Sequence, residues 1–587
     1  MEKDPRKKPA EERLAKKQLG RRVLFVQFFL ILCIGLLGAK SFEVQILKGR
    51  ALTQIATQTY SRDLAIQGDR GQILDRHMSK LGTSIDAPNV TADPTQVKNP
   101  AVTAGKLAKL LDLDKAKLKA KLSQKRRFAI LARRISPDQA KAVKALNLKG
   151  IYLKNDSKRF YPNRNLAAQV IGFTGKEDRG LEGLEFKYNA ILEGSRVTAK
   201  VTRDGAGRIL DIDKNQRDGL RGNAIVLTID KKIQFLSERT LARTVKAHKA
   251  KSGMALVMRP ATGELLAAAH YPEFNPNNFA GFSRDRYRNR SVTDAFEPGS
   301  IMKIFTVAAA IEKGMSPKSI FFCENGKYKI GGYTIHDTHP EEWLTLSQIV
   351  KFSSNIGAAK ITETIGRKAL HHYLTAFGFG QKTRVGSPGE SSGNLLPYRK
   401  WSKIDAGAIS FGQGVSVTGI QLISAISAIA NNGRLMKPML VKKIISHTGK
   451  ELQTFEPTII RQVVSQDTAD LVKKMMNQVV QEEGTGTKAA MEGYAVCGKT
   501  STAQKVDKGK RGYAKNKYIA AFGGFAPLND PELAILVVVD EPRPNYYGGV
   551  VAAPAFKTIM SKSFNYLSIP PENNNAMIAA LTKEDAQ

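Results

Sequence analysis

Apolar and polar positions divide this chain into stretches of different character. Residues 23–39 (Val-Leu-Phe-Val-Gln-Phe-Phe-Leu-Ile-Leu-Cys-Ile-Gly-Leu-Leu-Gly-Ala) form one nearly uncharged apolar run, flanked by Arg22 and Lys40. A helical run of that length just spans a bilayer, with the flanking cations snorkelling at its ends. Residues 40–60 predict a stalk. From 62 to 221, short strand-like alternations are separated by turns, with one lysine-rich amphipathic stretch at 104–122. Extended segments such as Val197-Thr198-Ala199-Lys200-Val201 suit a mixed sheet in this half, which reads as a pedestal. A second domain opens near Gly222. Its first strand is predicted at 224–229, followed by a helix through Gln234, Leu236 and Leu241. Residues 253–258 and 264–269, joined by Ala261-Thr262-Gly263, predict a hairpin. A mainly helical stretch runs to Asn432-Gly433, and strand patterns return at 495–504, 518–525 and 534–539. A closing helix at 555–567 follows Pro554. Two early and three late strands around a helical insert predict an α+β fold, with one antiparallel sheet assembled from both ends of the domain between helices. Residues 568–587, with Pro570-Pro571 and Asn573-Asn574-Asn575, predict a loose tail.

Composition and charge narrow the class. With 587 residues the chain has room for two or more domains with sizeable cores. A formal charge of +38 invites a nucleic-acid partner. The cations are scattered, however, and no helix-turn-helix, zinc-finger or RNP-like pattern accompanies them, so no nucleic acid is expected. Anionic lipid or wall polymer accounts for the charge equally well. The first 22 residues carry nine Lys/Arg against four Asp/Glu. That bias predicts a cytoplasmic N-terminus, with the remaining chain on the far side of the inner membrane. Leu37-Gly38-Ala39 meets only half of a cleavage signal, and Ile31-Leu32 are too bulky for lipidation at Cys33, so an uncleaved single-pass anchor is expected. Three cysteines make no disulfide scaffold, and spacing leaves open whether Cys323 and Cys497 pair. His336-Asp337-Thr338-His339 lacks further ligands and reads as surface chemistry; neither metal nor cofactor is expected.

The candidate chemistry starts at Phe296-Glu297-Pro298-Gly299-Ser300. Pro298 and Gly299 can turn the chain into a helix beginning at Ser300, and Lys303 then stands one turn on, on the same face. A neutral lysine there can take the serine proton as a carbonyl is attacked, and helix N-terminal N–H groups can hold the developing anion. In a lysine-rich chain this tetrad alone is weak. Two further motifs follow in order, Ser353-Ser354-Asn355 and, in a strand-like segment, Lys499-Thr500-Ser501-Thr502. Each alone reads as a cap or an exposed edge. The order S-x-x-K, S-x-N, K-T-x resembles the layout of penicillin-binding proteins and serine β-lactamases.

The resemblance extends through Phe411-Gly412-Gln413-Gly414, Thr502-Ala503-Gln504-Lys505, Phe525-Ala526-Pro527 and Asp540-Glu541-Pro542. In the pedestal it includes Arg70-Gly71-Gln72-Ile73-Leu74-Asp75-Arg76, Arg159-Phe160-Tyr161-Pro162 and Gly180-Leu181-Glu182-Gly183-Leu184-Glu185. The chain is similar to class B penicillin-binding proteins, and its Glu-Pro-Gly-Ser and Ser-Ser-Asn forms favour the division-specific FtsI type. The resemblance implies a D,D-transpeptidase that cross-links peptidoglycan stem peptides in the septum and is a target of β-lactams. Ser300 would be the nucleophile, Lys303 the base, Ser353 a proton relay, and Asn355 the partner of Lys303 and the substrate amide. Lys499 and Thr500 would take the substrate carboxylate, and the N–H groups of Ser300 and Thr502 the oxyanion. Burial and the charge of Lys499 would keep Lys303 neutral. An FtsW-type glycosyltransferase and other divisome proteins are the implied partners. The implied division of the chain is a basic tail at 1–22, a membrane helix at 23–39, stalk and pedestal at 40–221, a transpeptidase domain at 222–567 and a tail at 568–587. One position departs from the family. Ser501 stands where glycine is usual, and its hydroxymethyl is expected to narrow access to the strand. An elongation-type transpeptidase, a β-lactamase, a D,D-carboxypeptidase and a catalytically silent division scaffold are the alternatives.

Overall fold

A computed structural model describes residues 8–154, 156–175, 177–202, 219–330, 332–507 and 512–572. The expectation of a loose tail falls from residue 573 onward outside the described residues. Chain contacts divide the protein into two compact units, Met1–Gln67 with Ser195–Leu220, and Gly68–Gly194 with Arg221–Gln587.

In the first unit the apolar run lies within a helix, Lys8–Phe42, and the stretch Lys16–Leu47 is long and apolar enough to cross a membrane. The stalk expected over 40–60 is helical too. A π-turn, Glu43–Leu47, leads into a second helix, Gly49–Tyr60. Strands Ser61–Gln67 and Arg196–Thr202 then pair antiparallel from Ser61↔Thr202 to Gln67↔Arg196.

The second unit holds the sheet predicted from both ends. Its strands are β1 (Ser252–Met258), β2 (Leu265–Tyr271), β3 (Cys497–Val506), β4 (Tyr513–Ala526) and β5 (Leu533–Asp540), in the order β2-β1-β5-β4-β3 with every neighbour antiparallel. The apolar residues of these strands sort by parity. Met254, Leu256, Ala521, Leu536 and Val538 join the core cluster of α2 (Met302–Glu312) and α5 (Gly419–Ala430). Ala255, Val257, Phe522, Val537 and Val539 pack with α1 (Lys231–Ala247) and α6 (Ala553–Leu567). Burial of both faces is why the strands read as continuous apolar runs rather than alternations. Strand β3 is an edge strand, so one row of its backbone groups stays unpaired within the sheet.

The strand predicted at 224–229 forms, as Ala224–Leu227, but joins a different, six-stranded sheet. There it pairs parallel with Ile73–Leu74 and antiparallel with Val441–Ile445. The three pedestal motifs converge beside this sheet on one buried carboxylate. Glu185 accepts from Arg70 Nε and Arg159 Nε, each at 2.6 Å, and from the Tyr161 hydroxyl at 3.2 Å. Two guanidinium groups around one acid would be costly to bury unpaired, and here each is paired and hydrogen-bonded. The lysine-rich stretch is two helices, Pro100–Leu111 and Lys115–Leu122. They are separated at Asp112, which is left-handed (φ +52°), and Asp114 caps the second by accepting from Lys117 N.

Candidate active site

The nucleophile segment departs from its expected geometry by one short turn. Gly299–Ile301 is a 3-10 turn, and the α-helix proper starts at Met302. Gly299 takes φ +54°, a conformation that disfavours side chains, and its N–H donates to Gly412 O at 3.2 Å. The Phe411-Gly412-Gln413-Gly414 motif thus backs the turn that presents Ser300. Lys303 nevertheless reaches back to it, with Nζ 3.1 Å from Ser300 Oγ.

The second motif arrives through an unusual junction. α3 (Leu346–Phe352) ends on Ser353 in the left-handed conformation (φ +65°), and α4 (Asn355–Ile365) begins two residues later. The reversal turns both oxygens of Ser353 towards Lys303. Nζ donates to the Ser353 carbonyl, to Ser353 Oγ at 3.2 Å and to Asn355 Oδ1 at 2.8 Å. Ser354 caps α4, accepting from Gly357 N at 2.9 Å. The motif is therefore cap and site at once.

From β3, Lys499 Nζ donates to Ser353 Oγ at 2.8 Å, so one hydroxyl bridges two fully buried lysines. Burial, opposed by the Asp337 carboxylate, pushes Lys303 down to about 7. Lys499 is also held well below the usual lysine range, first by burial and then by the charge of Lys303. The repulsion expected to depress Lys303 is thus felt on Lys499, while burial accounts for the fall at Lys303. Two ammonium groups sharing one hydroxyl cannot both stay charged in such a place.

Thr500 and Thr502 lie on the other face of the strand from Lys499. Thr500 Oγ1 shares a hydrogen bond of 2.9 Å with Thr485 Oγ1, and Thr502 Oγ1 accepts from Gly548 N at 3.0 Å. Ser501 corrects the sequence expectation. Its hydroxyl donates to Pro298 O at 2.7 Å and is buried in the seam between β3 and the nucleophile turn. It does not stand over the strand. A Cβ on Gly299 would lie 2.4 Å from Ser501 Oγ, so the glycine of the turn makes room for the serine of the strand. Further along, Lys505 pairs with Asp540 and Glu541 at 2.6 and 2.7 Å, tying β3 to the end of β5. A cavity of about 640 Å³ adjoins, lined among others by Glu297, Gly414, Gln504 and Lys505.

The structure thus brings Ser300, Lys303, Ser353, Asn355 and Lys499 into one hydrogen-bonded cluster, with Ser501 behind it. Sequence reasoning missed three residues. Glu297 accepts from Gly414 N at 2.9 Å and from the Tyr513 hydroxyl at 3.1 Å, bracing the approach to Ser300. Thr485 partners Thr500. Asp337, read as surface chemistry, sits against the second motif and accepts from Asn355 N. No local signal marks Asp337, which stands 18 positions before Asn355 with α3 between them.

The site thus sets a buried lysine against a serine just ahead of α2, beside the edge of a five-stranded antiparallel sheet. The profile of the penicillin binding protein transpeptidase domain matches residues 253–561, and that of the penicillin-binding protein dimerisation domain matches 65–227. The chain belongs to the class B, FtsI-type penicillin-binding proteins. It is 36% identical over 575 residues to stage V sporulation protein D of Bacillus subtilis, covering 96% of this chain and 88% of that protein. It is 34% identical over 551 residues to the peptidoglycan D,D-transpeptidase FtsI of Escherichia coli K12, covering 92% and 91%. Among solved structures, penicillin binding protein 3 of Mycobacterium tuberculosis in complex with aztreonam superposes with a TM-score of 0.68 at 28% identity, over 86% of this chain and 99% of that one.

Proposed function

We propose that this chain is a peptidoglycan D,D-transpeptidase working through a Ser300 acyl-enzyme in septal wall synthesis. Lys303 takes the Ser300 proton as Oγ attacks the penultimate D-alanine carbonyl of a stem peptide. The C–N bond to the last D-alanine breaks, and Ser353, in contact with both lysines, passes a proton to the departing amine. Asn355 Oδ1 holds the Lys303 ammonium in the interval. The substrate carboxylate is held at the edge of β3, by the charge of Lys499 from one side of the strand and the Thr500 hydroxyl from the other, and restores the charge that burial disfavours on Lys499. That restored charge in turn repels a proton from Lys303, so binding of a correct donor primes the base. The N–H groups of Ser300 and Thr502 receive the oxyanion, the second from the unpaired edge of β3. With the carboxylate at Lys499 and the carbonyl at Ser300, upstream residues of the stem peptide run past Gln504 towards the adjoining cavity. An amine from a neighbouring stem peptide then attacks the ester carbonyl, the C–O bond to Ser300 breaks, and the cross-link forms.

The observation that carries this reading is the 3.1 Å contact between Ser300 Oγ and Lys303 Nζ, on a lysine that burial brings down to about 7. Residues 40–221 serve as stalk and pedestal and 222–567 as the catalytic domain. The basic N-terminus lies in the cytoplasm and the catalytic domain outside it. An FtsW-type glycosyltransferase supplies the glycan strands. Fluorescent penicillin labelling of wild type and Ser300→Ala, followed by peptide mapping, tests the assignment. We expect one adduct, on Ser300, lost in the variant; an adduct that persists in Ser300→Ala refutes it. The 36% identity to a sporulation protein supports a second reading, a role in sporulation rather than division. Depletion that filaments growing cells supports the septal role, and depletion that spares division while blocking spores supports the other.

A further inference from the structure

Asp337 follows directly on the strand Tyr333–His336, outside all three motifs. Its carboxylate accepts three hydrogen bonds, all from the second motif and the first turn of α4. Oδ1 takes Asn355 N at 2.5 Å and Ile356 N at 3.1 Å, and Oδ2 takes Ser354 Oγ at 2.5 Å. The residue before it adds a fourth link, since Asn355 Nδ2 donates to the His336 carbonyl at 2.9 Å. Asn355 is thereby gripped through its backbone and its amide nitrogen, which leaves its amide oxygen aimed at Lys303. The Ser354 cap serves α4 through Gly357 N, and Asp337 takes the two N–H groups ahead of it, so the start of α4 is held by a hydroxyl and a carboxylate together.

We propose that Asp337 is a positioning residue of the acylation step: it fixes Ser353 and Asn355 around Lys303 and supplies the anion that balances the ammonium formed when Lys303 takes the Ser300 proton. In that step the O–H bond of Ser300 breaks, an N–H bond forms on Lys303, and Ser300 Oγ bonds to the carbonyl carbon as the C=O π pair moves onto the oxygen, leaving an oxyanion beside an ammonium. The amine becomes a cation on a fully buried side chain. Lys499 supplies only repulsion there, and Asp337 is the anion whose field reaches Lys303, acting against its burial. Burial lowers the basicity of Lys303 and the carboxylate opposes that fall, so the amine stays at about 7, where a base is most effective. The other titratable groups around this carboxylate are Cys323, whose Sγ lies 3.6 Å from Ser354 Oγ, and Lys360 and Glu341, which act on that thiol from further off. None of these three bears on Lys303 directly.

This inference rests on the acyl-enzyme reading above, and the test separates the two. Second-order acylation of the full-length protein by a fluorescent penicillin is measured from pH 5 to 9 for wild type, Asp337→Asn, Asp337→Glu and Ser354→Ala, with a melting curve for each. Wild type should show a rising limb near pH 7. Asp337→Asn keeps the shape but not the charge, so its limb should move about one unit lower, because Lys303 loses its proton more readily. Its plateau should fall about tenfold, as a weaker base in a looser motif. Asp337→Glu and Ser354→Ala retain the anion and should leave the limb in place while lowering the plateau. A limb that stays put in Asp337→Asn overturns the proposal and leaves a purely structural acid. If Asp337→Asn does not fold, a limb displaced in Asp337→Glu or Ser354→Ala, where the charge remains, overturns it equally. No Ser300 adduct in wild type would sink the acyl-enzyme reading itself.

Discussion

Replacing Ser501 by glycine restores the residue usual in the family, and the geometry says that the change should cost rather than help. The Ser501 hydroxyl makes a 2.7 Å hydrogen bond to the Pro298 carbonyl, with the side chain 2% exposed. Losing one buried hydrogen bond removes about 1 kcal/mol. Placing glycine within a strand adds about 0.5–1 kcal/mol through backbone freedom. A total of about 1.5–2 kcal/mol should appear as a lower melting temperature. The bond anchors the turn two residues ahead of Ser300, so part of the loss should be felt as looser placement of Oγ. If the whole hydrogen-bond share is expressed there, acylation slows about fivefold. Stopped-flow measurement of penicillin acylation beside a thermal melt reads both quantities. Faster acylation in Ser501→Gly, or an unchanged melt, would refute the reasoning and bring back the view that the hydroxymethyl stands in the path of substrate.

Acylation should rise with pH through about 7 as the lysine pair gives up a proton, measured with an uncharged leaving group so that chemistry alone titrates. The sign for stability follows from the same depression. Between the folded value near 7 and the ordinary lysine range the unfolded chain binds more protons, so this group adds stability as pH climbs through that window. Denaturant midpoints of wild type and Lys303→Met from pH 7 to 10 should therefore converge as pH rises. Glu185→Ala leaves Arg70 and Arg159 buried without their counter-ion and should cost about 3–5 kcal/mol. A melt of the pedestal well below that of wild type checks it, with Glu185→Gln as the milder comparison.

The sheet and the gathering of the candidate site residues were legible in the sequence for different reasons. The sheet showed because β1, β2 and β5 are buried on both faces, which writes unbroken apolar runs into the chain. The cluster showed because its residues keep fixed local spacings, with Lys303 one turn from Ser300 and Asn355 two places from Ser353. What stayed hidden depends on partners remote in sequence. Ala224–Leu227 looks like any core strand, and only Ile73–Leu74 and Val441–Ile445 decide which sheet it joins. Alternation along β3 puts Ser501 on the side of Lys499, but nothing local says that this side meets Pro298. Asp337 lies in an ordinary polar stretch, and its importance comes from α4 being folded back against it. The 3-10 turn before α2 was hidden likewise, since it answers to Gly412 across the seam.

The sheet at the heart of the catalytic domain takes β1 and β2 from before the nucleophile and β3 to β5 from after the whole helical insert. A growing chain that has reached Ser300 and Lys303 still lacks the strand that carries Lys499, and β5 pairs directly with β1 across almost the full domain. Reactivity therefore arrives late in the life of the polypeptide. While it is being made, its serine has no strand edge beside it and no second lysine to bridge, so under the proposed mechanism a truncated product should be inert towards the wall and towards penicillin alike.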